Sequence, residues 1–140
     1  MSHMTRVQTQ LKSLTAIYST LQRLGFTTNQ MDIDLTNKLS IKGYSGRVGN
    51  QKCNVRVKSR HHTGGLKTMH GDMGWELNSD GTITMHRESM DHQYASAKWQ
   101  EKFMTLYATE KAKEDIEEEG WELEEEEELA DGSIRLVALI

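Results

Sequence analysis

The chain of 140 residues contains no proline and only one cysteine. Without proline it can hold neither a Pro-rich linker nor a polyproline ligand, so glycine must make its tight turns. The single cysteine, Cys53, excludes an internal disulfide and is typical of a protein in a reducing compartment. The composition therefore excludes the disulfide-rich secreted class.

The sequence also lacks an apolar run of membrane length, and no basic-then-apolar leader opens it, because residues 1–6 are polar. We therefore expect a soluble, cytoplasmic protein with no membrane partner. A length of 140 residues is enough to bury one core but not two. Residues 1–140 are thus predicted to form a single domain.

What the chain has in quantity is charge, and this charge is sorted by sign along the sequence. Residues 1–113 carry 16 Lys and Arg against 9 Asp and Glu, a net charge of +7. Residues 114–140 carry 1 basic residue against 12 acids, a net charge of −11, and no acid lies between Asp34 and Asp72. Either the basic and acidic segments pair inside the fold, or one of them is displayed to a partner.

Two helices are predicted, because apolar residues recur at steps of three and four in two segments. The first helix should run from Val7 to Leu24 and end at Gly25, and the second from about 92 to 119, with Asp91 as its cap and Gly120 at its end. The apolar positions are Val7, Leu11, Leu14, Tyr18, Leu21 and Leu24 in the first helix, and Ala95, Trp99, Phe103, Leu106 and Ile116 in the second.

Strands are predicted where apolar and polar residues alternate, and two Asp-Gly pairs mark hairpin turns. The predicted strand segments are 31–36, 39–42, 52–60, 75–77, 82–87, 121–129 and 133–140. The last strand is apolar at every position from 134 to 140 except Arg135, which is typical of a strand covered on both faces. We therefore expect it to be central, with Leu136 and Leu139 in the core. Because strands come in runs, the fold class is predicted as α+β, with two helices on one face of an antiparallel or mixed sheet.

Several short motifs resemble one known family over nearly the whole chain. These are Met1-Ser2-His3 before an amphipathic helix that ends in Leu24-Gly25, Gly43-Tyr44-Ser45-Gly46, Asp72-Met73-Gly74-Trp75, Glu118-Glu119-Gly120-Trp121 and Asp131-Gly132-Ser133-Ile134-Arg135-Leu136-Val137. The chain resembles the hypothetical chloroplast reading frame thirty-five family, a domain of unknown function found in plastids and cyanobacteria, with relatives in other bacteria.

The resemblance implies a phototroph setting and no particular reaction. The compartment that it implies is the cytoplasm, the plastid stroma or the cytoplasm of an infected host. The His-rich loop 61–70 and the dense run of Glu depart from the family pattern. These departures leave open a diverged version, such as one carried by a cyanobacterial virus.

Cysteine and histidine residues offer one hint of catalytic or metal chemistry, and the run Glu122–Glu128, as a binder of divalent cations, offers another. Cys53 with His61 and His62 suggests a thiolate–imidazole pair, and His70, Asp72 and His86 would extend it to a soft metal site. The spacing fits no recognised pattern, and Cys53 falls on the apolar face of its predicted strand, where a thiol is inert. We expect a structural cysteine, a mobile loop over 61–74, and no catalytic residue, metal or cofactor.

The remaining candidates are the two charged strand faces. We expect the basic face of Lys52, Arg56, Lys58 and Arg60 to lie beside the acidic face of Glu122, Glu124, Glu126 and Glu128 in one sheet. Glu125 and Glu127 would then point inward, where a bulge, a basic neighbour or an exposed strand end must relieve their burial.

Two functions fit these charged faces. The first is a non-enzymatic interaction or assembly-regulatory protein that binds a protein partner through the charged sheet face. The alternative is a nucleic-acid-binding module that uses the basic segment 38–67. Tyr44 is the only aromatic residue of that segment, so it holds no interleaved stacking platform.

Overall fold

The core lies between two helices and one face of a five-stranded antiparallel sheet, in a computed structural model that describes residues 4–140. The Met1-Ser2-His3 motif lies outside the described residues. The elements in chain order are β1 (Met4–Gln8), α1 (Leu14–Arg23), β2 (Met31–Ile33), β3 (Leu39–Lys42), β4 (Val48–Cys53), β5 (Val55–Val57), β6 (Met73–Leu77), β7 (Ile83–Glu88), α2 (His92–Ala95), α3 (Ala97–Glu118), β8 (Glu122–Glu128) and β9 (Ile134–Leu139).

The strands form three sheets, and the largest has the order β1-β7-β6-β5-β2. Its neighbours pair antiparallel throughout. Helices α1 and α3 supply Ile17, Leu21 and Phe103 to the core, and Trp75 of β6 stacks on Phe103 with ring centroids 5.5 Å apart. The predicted α+β class, with helices covering one face of an antiparallel sheet, is confirmed.

The first helix is shorter than predicted, because the chain before it is a strand. Residues Met4–Gln8 pair with β7, and Thr9 extends this link through its backbone N–H and its hydroxyl, which both donate to the carbonyl of Ile83. The side chain of Ser13 accepts from the N–H of Ala16 and starts α1 at Leu14. The three-to-four periodicity before Ser13 was therefore wrong as a helix signal, since pairing with β7 overrides it.

The predicted strand 52–60 is split between two sheets. Strand β4 pairs with β3 in a two-stranded ribbon, whereas β5, which begins two residues after β4 ends, belongs to the large sheet. The ribbon covers the face of the sheet away from the helices at Gly74, where an added Cβ would lie 2.8 Å from the Cβ of Cys53 and 3.2 Å from Ile41. Only glycine allows the ribbon to approach this closely.

The second predicted helix is broken near its start. Residue Ser96 has an extended backbone (ψ 146°), so α2 ends at Ala95 and α3 begins at Ala97, with the Ser96 hydroxyl accepting from the N–H of Trp99. The Asp91 side chain makes no capping bond to α2. Its carboxylate accepts instead from His70 and Gly71, so Asp91 has the predicted N-cap position but makes no side-chain capping bond.

The last strand is the main difference from the predicted fold. Strands β8 and β9 form the predicted hairpin, but it is a separate two-stranded sheet, and every residue of β9 is half-buried or exposed. Leu139 is 53% exposed and Leu136 is half-buried, so neither belongs to a central strand. An apolar run shows that a strand can be buried on both faces, but only packing decides whether it is.

Candidate functional site

The basic residues of the predicted site lie on two sheets and face different surroundings. Arg56 is half-buried, and its guanidinium contacts Asp32 at 2.5 Å and donates to the carbonyl of Ser40 at 2.9 Å. Lys52 and Arg60 are exposed and Lys58 is half-buried, and none of these three forms an ion pair with a described residue. Arg56 therefore stabilises the fold, while the other three have no counter-charge among the described residues.

The acidic residues of the predicted site lie on β8 at the other end of the chain. Glu126 alone is engaged, since its carboxylate meets Lys113 at 2.6 Å and Arg23 at 3.0 Å. The hydrogen bond from Lys113 and then that from Arg23 lower the pKa of Glu126. Glu122, Glu124 and Glu128 are exposed and form no ion pair within residues 4–140.

The predicted adjacency of the two charged faces is wrong. Strand β8 pairs only with β9, whereas β4 pairs with β3, and β5 lies between β2 and β6. The acids of β8 that are paired find their counter-charges on α1, α3 and β9 instead. Because the acidic strand does not neutralise the basic segment, that segment becomes a candidate binding surface again.

Glu125 and Glu127 were predicted to point inward, but the hairpin leaves both side chains exposed. The register shifts between Leu123 and Glu125, which marks a β-bulge, and both carboxylates are exposed. Arg135 of β9 lies opposite them, 3.2 Å from Glu125 and 2.9 Å from Glu127. The bulge, the basic neighbour Arg135 and the exposure of the strand thus all reduce the cost of placing these two carboxylates.

An aromatic stack that the sequence did not predict joins Tyr44 of the basic segment to His70. Tyr44 stacks on His70 with ring centroids 5.2 Å apart, and the guanidinium of Arg60 lies 5.3 Å from the Tyr44 centroid. The Asp91 carboxylate fixes the His70 ring through Nδ1 at 2.8 Å. Tyr44 itself is 40% exposed, so the stack forms part of the surface.

Local sequence patterns do not predict this stack, because it depends on contacts between residues that are far apart in the sequence. Tyr44 was visible as the only aromatic of the segment, but nothing local places it beside His70, which is held by Asp91. Arg47 and Lys67 are also exposed near this region of the sequence, and neither forms an ion pair with any described residue.

The segment predicted to be a mobile loop is tied down by a buried carboxylate. Asp72 is fully buried and accepts four hydrogen bonds, from the backbone N–H of Lys42 (2.8 Å), the N–H and hydroxyl of Ser59 (2.9 and 2.7 Å) and Nε2 of His62 (2.7 Å). In addition, Nε2 of His61 donates to the carbonyls of Tyr44 and His70, each at 2.9 Å. These histidines therefore hold the loop in place.

Cys53 is fully buried, and burial raises the pKa of its thiol to about 12. The thiol is therefore protonated at neutral pH, which fits the structural role predicted for it and not a nucleophile. Within residues 4–140, no group of three or more His, Cys, Asp and Glu side chains is arranged to hold a metal ion. None of the helices in this described part is long and apolar enough to cross a membrane.

The terminal hairpin exposes large apolar side chains beside its acids. Trp121 and Leu123, at the start of the hairpin, are 40% and 37% exposed. Ile140, which follows β9, is almost fully exposed. An open groove of about 1140 Å³ separates the hairpin from α3, with Leu106 and Leu136 among its lining residues. The hairpin thus combines unpaired carboxylates with apolar surface, which is typical of an interaction surface.

Comparisons with known proteins give a family but no activity. No curated protein and no solved structure shows significant similarity to the chain. A family model described as "Protein of unknown function (DUF1257)" matches residues 20–137, which include both charged surfaces. The chain therefore belongs to the DUF1257 family of proteins of unknown function.

Proposed function

We propose that the protein is a non-enzymatic interaction or assembly-regulatory protein that docks a basic protein partner on its acidic hairpin. The observation that carries this proposal is the state of Glu122, Glu124 and Glu128. These carboxylates are exposed on β8, find no counter-charge among the described residues, and lie in a hairpin that also exposes Trp121 and Leu123.

The charge and the apolar surface have separate roles in this proposal. Unpaired acids attract a basic surface over a distance and set the orientation of the encounter, whereas buried aromatic and aliphatic side chains supply most of the affinity. The hairpin provides both within one short segment. Within residues 4–140, its only ion pairs to α1 and α3 are those of Glu126 with Arg23 and Lys113.

The setting that we propose is a phototroph. The resemblance of five motifs to the hypothetical chloroplast reading frame thirty-five family supports it. The compartments that fit this setting are a cyanobacterial cytoplasm, a plastid stroma and the cytoplasm of an infected host. A cyanobacterial extract is therefore the appropriate source of partners.

The proposal is tested by affinity capture from such an extract, with three versions of the full chain as bait. One variant replaces Glu122, Glu124 and Glu128 with Gln, and a matched variant replaces Arg47, Lys52 and Arg60 with Gln, so each loses three charges of one sign. We expect a basic protein that the wild type and the basic-segment variant retain, that the hairpin variant loses, and that salt elutes. Retention of the same proteins by all three baits would contradict the proposal.

A second candidate function is binding of single-stranded nucleic acid by the segment 38–67. Five basic residues of this segment form no ion pair with a described residue: Arg47, Lys52, Lys58, Arg60 and Lys67. Their lack of counter-charges supports this second function more strongly than the sequence alone did. The exposed stack of Tyr44 on His70 adds a surface on which a base could stack.

Fluorescence anisotropy with labelled single-stranded RNA and DNA tests this second function. Each phosphate that the protein neutralises should contribute about 0.7 to the slope of log affinity against log salt. Tyr44→Ala should weaken binding by about 1 to 3 kcal/mol if a base stacks there. No binding at low salt, or binding unaffected by the basic-segment variant, would rule this function out.

A further inference from the structure

The outer edge of β9 is an unprotected sheet edge. Within residues 4–140, β9 pairs with β8 alone, so its other side has no strand beside it. The strand has the sequence IRLVAL, and Arg135 is its only charged residue. Exposed apolar edges recruit further strands, and proteins usually block them with charges, proline or bulges. Strand β8 has such protection in six Glu and a bulge, whereas β9 has almost none.

The backbone of β9 presents hydrogen-bonding groups at this edge. The N–H of Leu129 donates to the carbonyl of Ser133 at 2.8 Å and closes the hairpin. Backbone groups of an antiparallel strand alternate in direction, so those of Arg135 and Val137 face β8, and those of Ile134, Leu136 and Ala138 face outward. Three residues thus offer their N–H and C=O groups to another strand.

The distribution of charge on the hairpin selects the occupant of the edge. A second copy cannot add through β8, because six carboxylates would meet six others. Addition through β9 brings apolar side chains together, and the acidic strands are then on the outside. We propose that the protein forms a two-fold symmetric dimer by antiparallel pairing of β9 with β9 of a second copy.

The geometry of this pairing closes the assembly at two chains. A two-fold contact uses the same edge of both copies and leaves no second copy of that edge exposed. The resulting sheet has four strands, and its two outer strands are the Glu-rich β8 strands, which repel further copies. The dimer also displays two acidic strands. Its formation through β9 goes beyond the proposed function and does not depend on it.

Sedimentation velocity of the full chain over a dilution series tests the dimer. We expect a species of twice the 16.0 kDa chain mass that persists between about 0.1 and 1 M NaCl, because strand addition through an apolar edge is not screened. Head-to-tail pairing of the acidic hairpin with the basic segment of another copy would instead dissociate at high salt. That result, or a monomer at every concentration, would overturn the proposal.

A single substitution should break the dimer without breaking the hairpin. Val137 lies opposite Glu125 in the register of the hairpin, so Val137→Lys gains an opposite charge within its own chain. With the two-fold axis at Leu136, the introduced ammonium faces Arg135 of the other copy, and with the axis at Val137 it faces its own symmetry mate. Because like charges then meet across the axis in either register, we expect the dimer dissociation constant to rise by roughly tenfold or more.

A matched variant separates this effect from a change in net charge. Glu128→Gln on β8 changes the net charge by the same amount but lies on the outer strand, so its dimer should be unaffected. If Val137→Lys dimerises as tightly as the wild type, the β9 edge is not the interface.

A second measurement uses the wild type alone, so it remains valid even if Val137→Lys fails to fold. Amide exchange at Leu136 and Ala138 of the wild type should slow as the protein is concentrated. Exchange at these amides that is independent of concentration would overturn the proposal.

Discussion

The five-stranded sheet and the terminal hairpin differ in how their charged groups are stabilised. In the sheet region, carboxylates such as Asp72 and Asp91 are buried and satisfied by backbone N–H groups and histidine. In the hairpin, every residue of β8 is exposed and three of its six carboxylates have no counter-charge within the described chain. A buried charge must be satisfied inside the fold, whereas an exposed one is free for a partner.

The two regions should therefore differ in how well they tolerate substitution. The sheet region should be sensitive to the loss of a single carboxylate or the gain of a single methyl group, and the hairpin should tolerate the loss of a whole carboxylate. Four substitutions, each with its own control or comparison, test this difference.

The largest loss of stability is expected from Asp72→Ala. Removal of this carboxylate leaves the N–H and hydroxyl of Ser59 and the N–H of Lys42 without their buried acceptor. We expect the free energy of unfolding to fall by about 3 to 5 kcal/mol in urea titrations. The control Glu122→Ala in the hairpin should leave the urea midpoint unchanged. Similar losses in both variants would remove the contrast between the regions.

The close approach of the ribbon to the sheet is tested by Gly74→Ala. The new methyl group would lie 2.8 Å from Cβ and 3.0 Å from Sγ of Cys53, whose side chain is buried. Overpacking of this kind should lower the free energy of unfolding by about 1 to 3 kcal/mol. At Gly43 an added Cβ meets nothing within 4 Å, so Gly43→Ala is a matched control and should be nearly neutral. A neutral Gly74→Ala would show that the ribbon is loosely held.

The sheet should lose stability in mild acid because of His86. This side chain is fully buried, its Nε2 lies 3.1 Å from Glu76, and its Nδ1 has no partner among the described residues. Burial lowers the pKa of His86 from its ordinary value of 6.5, even though Glu76 opposes this effect. The unfolded chain therefore binds the proton first, and the stability present above pH 6.5 falls as the pH drops toward the lowered pKa.

Urea unfolding of wild type and His86→Gln between about pH 7.5 and 5.5 measures this contribution. The wild type should lose stability more steeply than the variant, by at most about 1.4 kcal/mol per pH unit. Other groups titrate in both proteins, so only the difference in slope reports His86. Parallel slopes would contradict the expected pKa shift.

The smallest effect is expected where the hairpin meets the helices. Glu126→Gln removes the ion pairs to Lys113 and Arg23, which should lower stability by less than about 1 kcal/mol because the pairs are partly solvated. Amide exchange in β8 and β9 should accelerate while exchange in β6 and β7 stays unchanged. Glu124→Gln, which removes a carboxylate without an ion pair to a described residue, is the control.

The same ion pairs should make the hairpin contact sensitive to acid. Lys113 and Arg23 lower the pKa of Glu126 from its ordinary value of 4.5, so its contribution is complete above that value. The contribution is lost as the pH falls through the lowered pKa. A hairpin whose exchange responds to neither the substitution nor acid would be held by its apolar contacts alone.

Local patterns in the sequence determined the fold class and most of the elements. The two Asp-Gly turns predicted both hairpins, and Gly81 and Gly132 have the positive φ angles of 87° that these turns require. The alternation around Cys53 correctly predicted that it faces the interior, and the apolar stripe of the second helix includes Phe103, which stacks on Trp75. Such features depend on residues a few positions apart.

The tertiary structure decided which elements meet. Pairing with β7 made a strand of residues 4–8, and the position of β9 outside the large sheet left most of its apolar run only half-buried. The basic and acidic strands have complementary charges in the sequence, yet they lie in different sheets because core packing outweighs cross-strand charge pairs worth less than about 1 kcal/mol each. Sequence alone therefore determined that the chain carries two segments of opposite charge, and only the fold decided that they do not pair with each other.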